Sequence, residues 1–178
     1  MSDFRIRAAT PADACAIARV HVQAWRETYR GLVPDAMLDA LSVKRNTGMW
    51  ETIIGQGEPT VTQVLEAHDG IIGFGSAGKA RDAKLAASGE VTSIYLLDRV
   101  KRRGLGRALF GSLLGALAAR GHASAGLWVL VENHGTRRFY EALGGRVGSE
   151  RVLPHRHGDL DEIAYVWDDL GRFAAVMR

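Results

Sequence analysis

One short stretch of this chain is dense in groups that hold anions. Arg99, Lys101, Arg102, Arg103 and Arg107 stand around Gly104 and Gly106. Before them runs an apolar, β-branched segment from Val91 to Leu97. After them leucines recur at Leu105, Leu109, Leu113 and Leu117, with Phe110 and Leu114 widening the stripe. The pattern predicts strand, basic glycine turn, helix. Gly121 after Arg120 suits a helix stop. A helix start leaves about four N–H groups without internal partners. It also carries roughly half a positive charge. Glycines let the backbone close on an anion, and arginines add donors. The chemistry this stretch predicts is capture of a phosphate or pyrophosphate.

Two common phosphate-binding patterns do not fit. The run G-x-x-x-x-G-K-[ST] is absent, and G-x-G-x-x-G fails at its third glycine, where Leu109 stands. The turn also follows several candidate strands, whereas a dinucleotide site sits in a first βαβ unit. The six residues Lys101 to Gly106 instead resemble the acyl-CoA-binding motif [QR]-x-x-G-x-[GA] of the GCN5-related N-acetyltransferase superfamily. Lys101 departs from the usual Gln or Arg at the first position. Two further segments strengthen the resemblance. Ser93 to Leu97 is similar to the superfamily strand whose backbone receives the pantetheine arm and thioester. Leu127 to Gly145 is similar to its strand–Asn–helix segment ending in F-Y-x-x-L-G. Together these cover about half the chain.

Acyl transfer to an amine sets three requirements. The amine must lose a proton, because an alkylammonium with a pKa near 10.4 is no nucleophile. The oxyanion needs a donor. The leaving thiolate needs a proton, since a thiol pKa is about 8.5. The resemblance places Tyr140 in the last role, near the CoA sulfur; packing is the competing role, because Phe139 and Leu143 form an i,i+4 apolar pair beside it. It assigns pyrophosphate and pantetheine contacts to Arg102, Arg103, Gly104, Leu105, Gly106 and Arg107, with Phe139 alongside. It gives Leu96 and Leu97 backbone roles toward the acetyl carbonyl. Asn133 would hydrogen-bond the pantetheine arm, and an Asn there also suits a helix cap; the amide has atoms for both. Glu90, at the start of the fourth strand, is the base candidate. A solvated strand-end glutamate or a water chain is the alternative. The acceptor wall falls on Trp25 and Tyr29 in the first helix, where Glu27 could hold an ammonium or pair with Arg30.

The elements that must position these residues follow from the rest of the chain. The order is β-α-α-α-β-β-β-α-β-α-β-β. Phe4 to Ala8 alternates as a short strand. Thr10-Pro11-Ala12-Asp13 opens a helix to about Arg30 with a capping signature. Short helices follow over Asp35–Leu41 and Val43–Ile54. Val61–His68 and Ile71–Lys79 form a hairpin at Asp69-Gly70. Glu90–Leu97 and Gly126–Glu132 are the central strands. Arg146–Leu153 and Leu160–Trp167 close the sheet, and Asp168 to Arg178 forms a tail. The resemblance implies the α/β (α+β) acyl-CoA N-acyltransferase fold: a mixed, mostly antiparallel sheet of about seven strands flanked by helices, splayed between strands 4 and 5.

Composition bounds the function. At 178 residues the chain makes one domain, 1–178, with its acyl-CoA-binding core at about 90–145. The charge of +3 is concentrated in one segment, which fits a local anion site and not a nucleic-acid surface. A single cysteine excludes internal disulfides and fits a reducing, cytoplasmic setting. Cys15 is expected as a small buried residue. The N-terminal residues carry no apolar leader and no membrane span is expected. His155, His157, Asp159, Asp161 and Glu162 match no structural zinc signature and read as a solvated loop, so no metal is expected. Gly111 and Gly115 in the motif helix are expected to pack closely on a neighbour. The expected partners are acetyl-CoA and a small-molecule amine, with an exposed final strand edge suited to a homodimer. A protein lysine or N-terminal amine is the alternative acceptor. A non-catalytic acyl-CoA-binding module and a nucleic-acid binder are the rival classes.

Overall fold

The computed structural model describes residues 4–171. Seven strands and five α-helices follow the expected order: β1 Phe4–Ala8, α1 Ala14–Tyr29, α2 Asp35–Asp39, α3 Val43–Gln56, β2 Val61–Ala67, β3 Gly70–Lys79, β4 Gly89–Leu96, α4 Leu105–Ala119, β5 Ala125–Leu130, α5 His134–Ala142, β6 Arg146–Leu153 and β7 Leu160–Trp167. The sheet order is β1-β2-β3-β4-β5-β7-β6. Every neighbouring pair is antiparallel except β4 and β5. The helix entry at Thr10 forms as expected: the Asp13 carboxylate accepts the Thr10 N–H at 2.8 Å. Asp13 also takes both terminal nitrogens of Arg7, at 2.7 and 2.8 Å, which ties β1 to the helix start.

Alternate residues of the strands face opposite layers. On β3, Phe74 packs against Trp50 of α3 and His21 of α1. A side chain added at Gly75 would instead meet Leu113 of α4 at 2.5 Å. So α1 and α3 cover one face, and α4 covers the other. Helix α5 joins α4: Phe110 contacts Tyr140 and Trp167 there. The core is continuous through Phe74, Leu109, Phe110, Leu113 and Tyr165, all fully buried. A smaller cluster of Val33, Met37, Leu38, Leu130 and Leu160 sits under α2 and carries Trp25 and Tyr29 at its rim.

Three local expectations are corrected. Cys15 is exposed: the buried face of α1 runs through Ala14, Ile17 and Ala18, and Cys15 points off that stripe. Gly115 is exposed too, with open space where a Cβ would stand, so it packs on nothing. Helix α3 runs on through Gly55 to Gln56 before Gly57 turns the chain at φ 62°. Of the tail, Leu170 is buried and donates its N–H to Ala123 at 2.9 Å; residues 172–178 lie outside the described ones. No helix among the described residues is long and apolar enough to cross a membrane. The edge strand β6 leaves Val152 and Val147 exposed.

Candidate active site

Strands β4 and β5 touch at one end only. Their parallel pairing is limited to Gly89 with Ala125 and Glu90 with Gly126. Small residues permit that close approach: a Cβ at Gly126 would meet Leu85 at 2.8 Å, and one at Gly89 would meet Leu117 at 3.0 Å. Beyond this vertex β5 turns to β7, and β4 stays with β3. A bulge helps the strands part. Ser76 faces Ser93 while Ala77 faces Val91, so Thr92 is the extra residue. Bulges bend and twist their strand. The gap opens into a cavity of about 700 Å³ whose wall includes Tyr95, Leu96, Gly104, Asn133 and Tyr140.

Backbone parity gives the gap donors. Leu97 donates its N–H to Ile72 of β3 at 3.1 Å. Alternate residues of a strand address the same neighbour, so Tyr95 also bonds toward β3, and the amides of Ile94 and Leu96 point away from it, into the gap. Leu96 therefore lies where its backbone can serve a ligand. Leu97 does not: its N–H goes to Ile72, its carbonyl takes the Val100 N–H, and it is absent from the cavity wall.

The basic turn forms the lip of the cavity. Arg102 and Gly104 hold left-handed backbone angles, φ 58° and 78°. For an arginine this is an uncommon, strained conformation. Among the described residues the first helical bond of α4 runs from the Ala108 N–H to the Gly104 carbonyl at 3.0 Å, and no partner takes the amides of residues 102 to 107. Lys101 is spent on Asp98 at 2.6 Å and Thr28 at 3.2 Å, and Arg99 on Asp69 at 3.0 Å. Arg102, Arg103 and Arg107 make no ion pair with a described residue. Arg102, Gly104, Gly106 and Arg107 line the cavity; the Leu105 side chain is buried in the core, and Arg103 is exposed and not part of the wall.

Across the gap, Asn133 starts α5. Its Oδ1 accepts the Thr136 N–H at 3.2 Å, which is the capping role. Its Nδ2 is buried at the cavity wall with no partner among the described residues. An unpaired buried amide donor costs about 1–3 kcal/mol, so the site fits a ligand that supplies an acceptor there. Phe139 lies beside it, at 3.5 Å from where a Gly106 Cβ would stand. Tyr140 is 5% exposed, faces the cavity, and makes no hydrogen bond to a described residue. Burial, with the nearby Tyr95, pushes its hydroxyl well above the usual tyrosine value. It stays protonated at neutral pH.

Tyr29 and Tyr95 meet in the same cavity, with their hydroxyls 3.3 Å apart. Burial, then mutual proximity, raises Tyr29; burial raises Tyr95. Trp25 stands behind Tyr29, ring centroids 4.7 Å apart, and does not reach the wall itself. Tyr95 escaped the sequence reading because its β-strand position carried only an apolar pattern. Its stacking on His21 of α1, at 5.4 Å and 16°, is a contact across 74 residues of chain order that no local pattern encodes.

Glu90 takes a different place from the one expected of a base. It is 2% exposed, at the vertex, and is not part of the cavity wall. Arg81 fills both of its oxygens: the backbone N–H at 3.0 Å, Nε at 3.1 Å and Nη2 at 2.8 Å. Burial pulls the carboxyl upward, but the Arg81 bonds and charge outweigh it and hold Glu90 below the usual carboxylate value. Glu27 lines the cavity but is also engaged, by Gln23 at 2.8 Å and by the Asp98 N–H at 2.8 Å. Among the described residues no group of three His, Cys, Asp or Glu side chains converges as metal ligands.

Known proteins resemble this chain in sequence and in fold. The family model described as FR47-like protein matches residues 80–153. The chain is 30% identical over 173 residues to a Bacillus subtilis protein named uncharacterized N-acetyltransferase YuaI, covering 97% of this chain and 98% of that one. Among solved structures, yncA of Salmonella typhimurium, solved with acetyl-CoA, superposes with a TM-score of 0.70 at 20% identity, covering 94% of each chain. The paia N-acetyltransferase of Thermoplasma acidophilum, solved with coenzyme A, gives a TM-score of 0.70 at 17% identity, covering 92% of this chain and 98% of that one.

Proposed function

This chain belongs to the GCN5-related N-acetyltransferase superfamily, and on that premise we propose that it transfers an acetyl group from acetyl-CoA to a primary amine, directly and without an acyl-enzyme. The observation that carries this reading is the gap between β4 and β5, edged by amide donors that the protein leaves unspent. On one lip the amides and cations of residues 102 to 107 suit a pyrophosphate. On the other, the Asn133 Nδ2 suits a carbonyl of the pantetheine arm. The Leu96 amide suits the acetyl carbonyl and the charge it gains during reaction.

The residues then divide the work. The amine nitrogen bonds to the acetyl carbon, the carbon–sulfur bond breaks, and one proton passes from nitrogen to sulfur. Tyr140 suits that last transfer. Its hydroxyl is neutral and unpartnered, so it donates to the departing sulfur and takes back a proton from the nitrogen. No free phenolate need form. Trp25 and Tyr29 shape the acceptor end, Trp25 from behind. Glu90 serves as a strut at the vertex, and the amine sheds its first proton to water. Purified protein tests the reading directly: it should bind acetyl-CoA in a calorimeter and release free thiol when an amine is added. Absence of both would remove the assignment.

A further inference from the structure

The acceptor end of the cavity says something about which amine enters, given the transferase reading above. Two carboxylates line the cavity, Glu27 and Asp98. Glu27 is held by Gln23 and the Asp98 amide, and Asp98 is paired with Lys101. Behind the wall Glu90 is closed by Arg81, while Arg151 takes Glu162 at 2.7 Å and Asp82 at 2.9 Å. Arg151 also lies over the Trp128 ring at 4.1 Å, and that ring is part of the wall. Beside these two engaged carboxylates, the wall at this end presents Tyr29, Tyr95, Trp128 and Tyr140, all neutral. His21, behind Tyr95, is pushed down to about 4 by burial and is neutral as well.

A wall of this kind offers an alkylammonium no carboxylate free of other bonds: Asp98 is paired with Lys101, and both oxygens of Glu27 are taken by neutral N–H donors. It also holds a spare donor. Tyr29 and Tyr95 share one hydrogen bond, and two hydroxyls that share one bond keep one O–H over. That O–H asks for an acceptor atom on the ligand.

We infer that the acceptor is an α-amine next to an amide carbonyl, as at a peptide N-terminus or in an amino-acid amide, with the Tyr29–Tyr95 pair reading the carbonyl. Such an amine arrives partly neutral. With a pKa of about 7.7–8.0, against about 10.4 for a lysine side chain, its neutral fraction at pH 7 is roughly 300-fold larger. The protein then needs no carboxylate to strip it.

The test uses thiol release from acetyl-CoA at pH 7 with five acceptors: alanine amide, a pentapeptide with a free N-terminal alanine, Nα-acetyl-lysine amide, spermidine and trifluoroethylamine, which is weakly basic but has no carbonyl. The expected result is a kcat/KM for alanine amide or the pentapeptide at least tenfold above the other three. Whichever of these two is better separates a small-molecule acceptor from a protein one. Tyr29→Phe should raise the KM for the better of them about tenfold, leave the KM for acetyl-CoA unchanged, and leave trifluoroethylamine unaffected. Preference for spermidine or the lysine amine overturns the inference, and so does a Tyr29→Phe loss that is equal for all acceptors. Calorimetric binding of acetyl-CoA with no turnover of any of the five overturns it alone. No acetyl-CoA binding would instead take down the transferase reading beneath it.

Discussion

Replacing Glu90 by Gln separates a catalytic carboxylate from a structural one. In the structure the carboxylate accepts three hydrogen bonds from Arg81 and is 2% exposed. Gln keeps one acceptor oxygen but turns an N–H₂ toward the guanidinium, so at least one charged hydrogen bond is lost. Such a bond is worth about 1.5–3 kcal/mol. The Arg81 side chain is 68% exposed and water can solvate it once released. That keeps the cost below the roughly 3–5 kcal/mol of breaking a fully buried pair. A loss of about 2 kcal/mol is expected, which in a chain of this size lowers Tm by about 4–8 °C. The sign with pH follows from the depressed carboxyl: its stabilisation is present above the ordinary carboxylate range and disappears as pH falls through the folded value. Thermal melts of the two proteins should therefore differ at pH 7 and converge at acid pH. Steady-state thiol release should give kcat within about threefold of the parent. A general base contributes typically 10²–10⁴-fold. A fall of that size, with the acid limb of the pH–rate profile lost and Tm unchanged, would refute the assignment of Glu90 as a strut.

Tyr140→Phe should lower kcat about 100-fold or more while calorimetry finds acetyl-CoA affinity nearly unchanged, because the hydroxyl has no partner to lose in the resting protein. Asn133→Asp keeps an oxygen for the Thr136 cap but removes the Nδ2 donor; the KM for acetyl-CoA should rise about tenfold with little change in Tm, whereas Asn133→Ala should also cost about 1 kcal/mol of stability. His21 is held neutral to about pH 4 by burial. The unfolded chain takes up that proton from about pH 6.5 downward, so the unfolding free energy from urea titrations should fall between pH 6.5 and 4, by at most about 3 kcal/mol. The slope should flatten in His21→Leu.

What could be read from sequence was whatever a short window encodes. The turn at residues 102–107, the cap at Asn133 and the position of Tyr140 each announce themselves within a few residues. The strand order and the hairpin were equally local, although the turn falls at His68-Asp69, with Ala67 paired to Gly70, one residue before the expected Asp69-Gly70. The reading of Glu90 shows the limit. Its partner Arg81 lies nine residues away, in a polar stretch that carried no pattern, and only the fold brings the two together. The cavity wall is assembled from α1, β4, β5 and α5, so no local pattern brings Tyr95 and Trp128 together. Cys15 was misjudged because one helical step separates it from a buried neighbour, and apolar character does not say on which side of that step a residue falls.

The vertex and the lip depend on opposite properties of the same backbone. At the vertex the strands must meet closely, and side chains are pared away: Gly89, Ala125 and Gly126 leave Leu117 and Leu85 the space they occupy. At the lip the chain must not meet itself, and the left-handed angles at Arg102 and Gly104 aim amides outward before α4 can use them. A sheet whose central pair stayed zipped would satisfy the Leu96 amide with β5 and leave no room beside Tyr140. The strained arginine and the short pairing are thus two parts of one arrangement. Backbone groups that ordinary folding would bond internally are withheld, and those of Leu96, Arg102, Gly104, Gly106 and Arg107 belong to the wall of the space where a thioester ligand would lie.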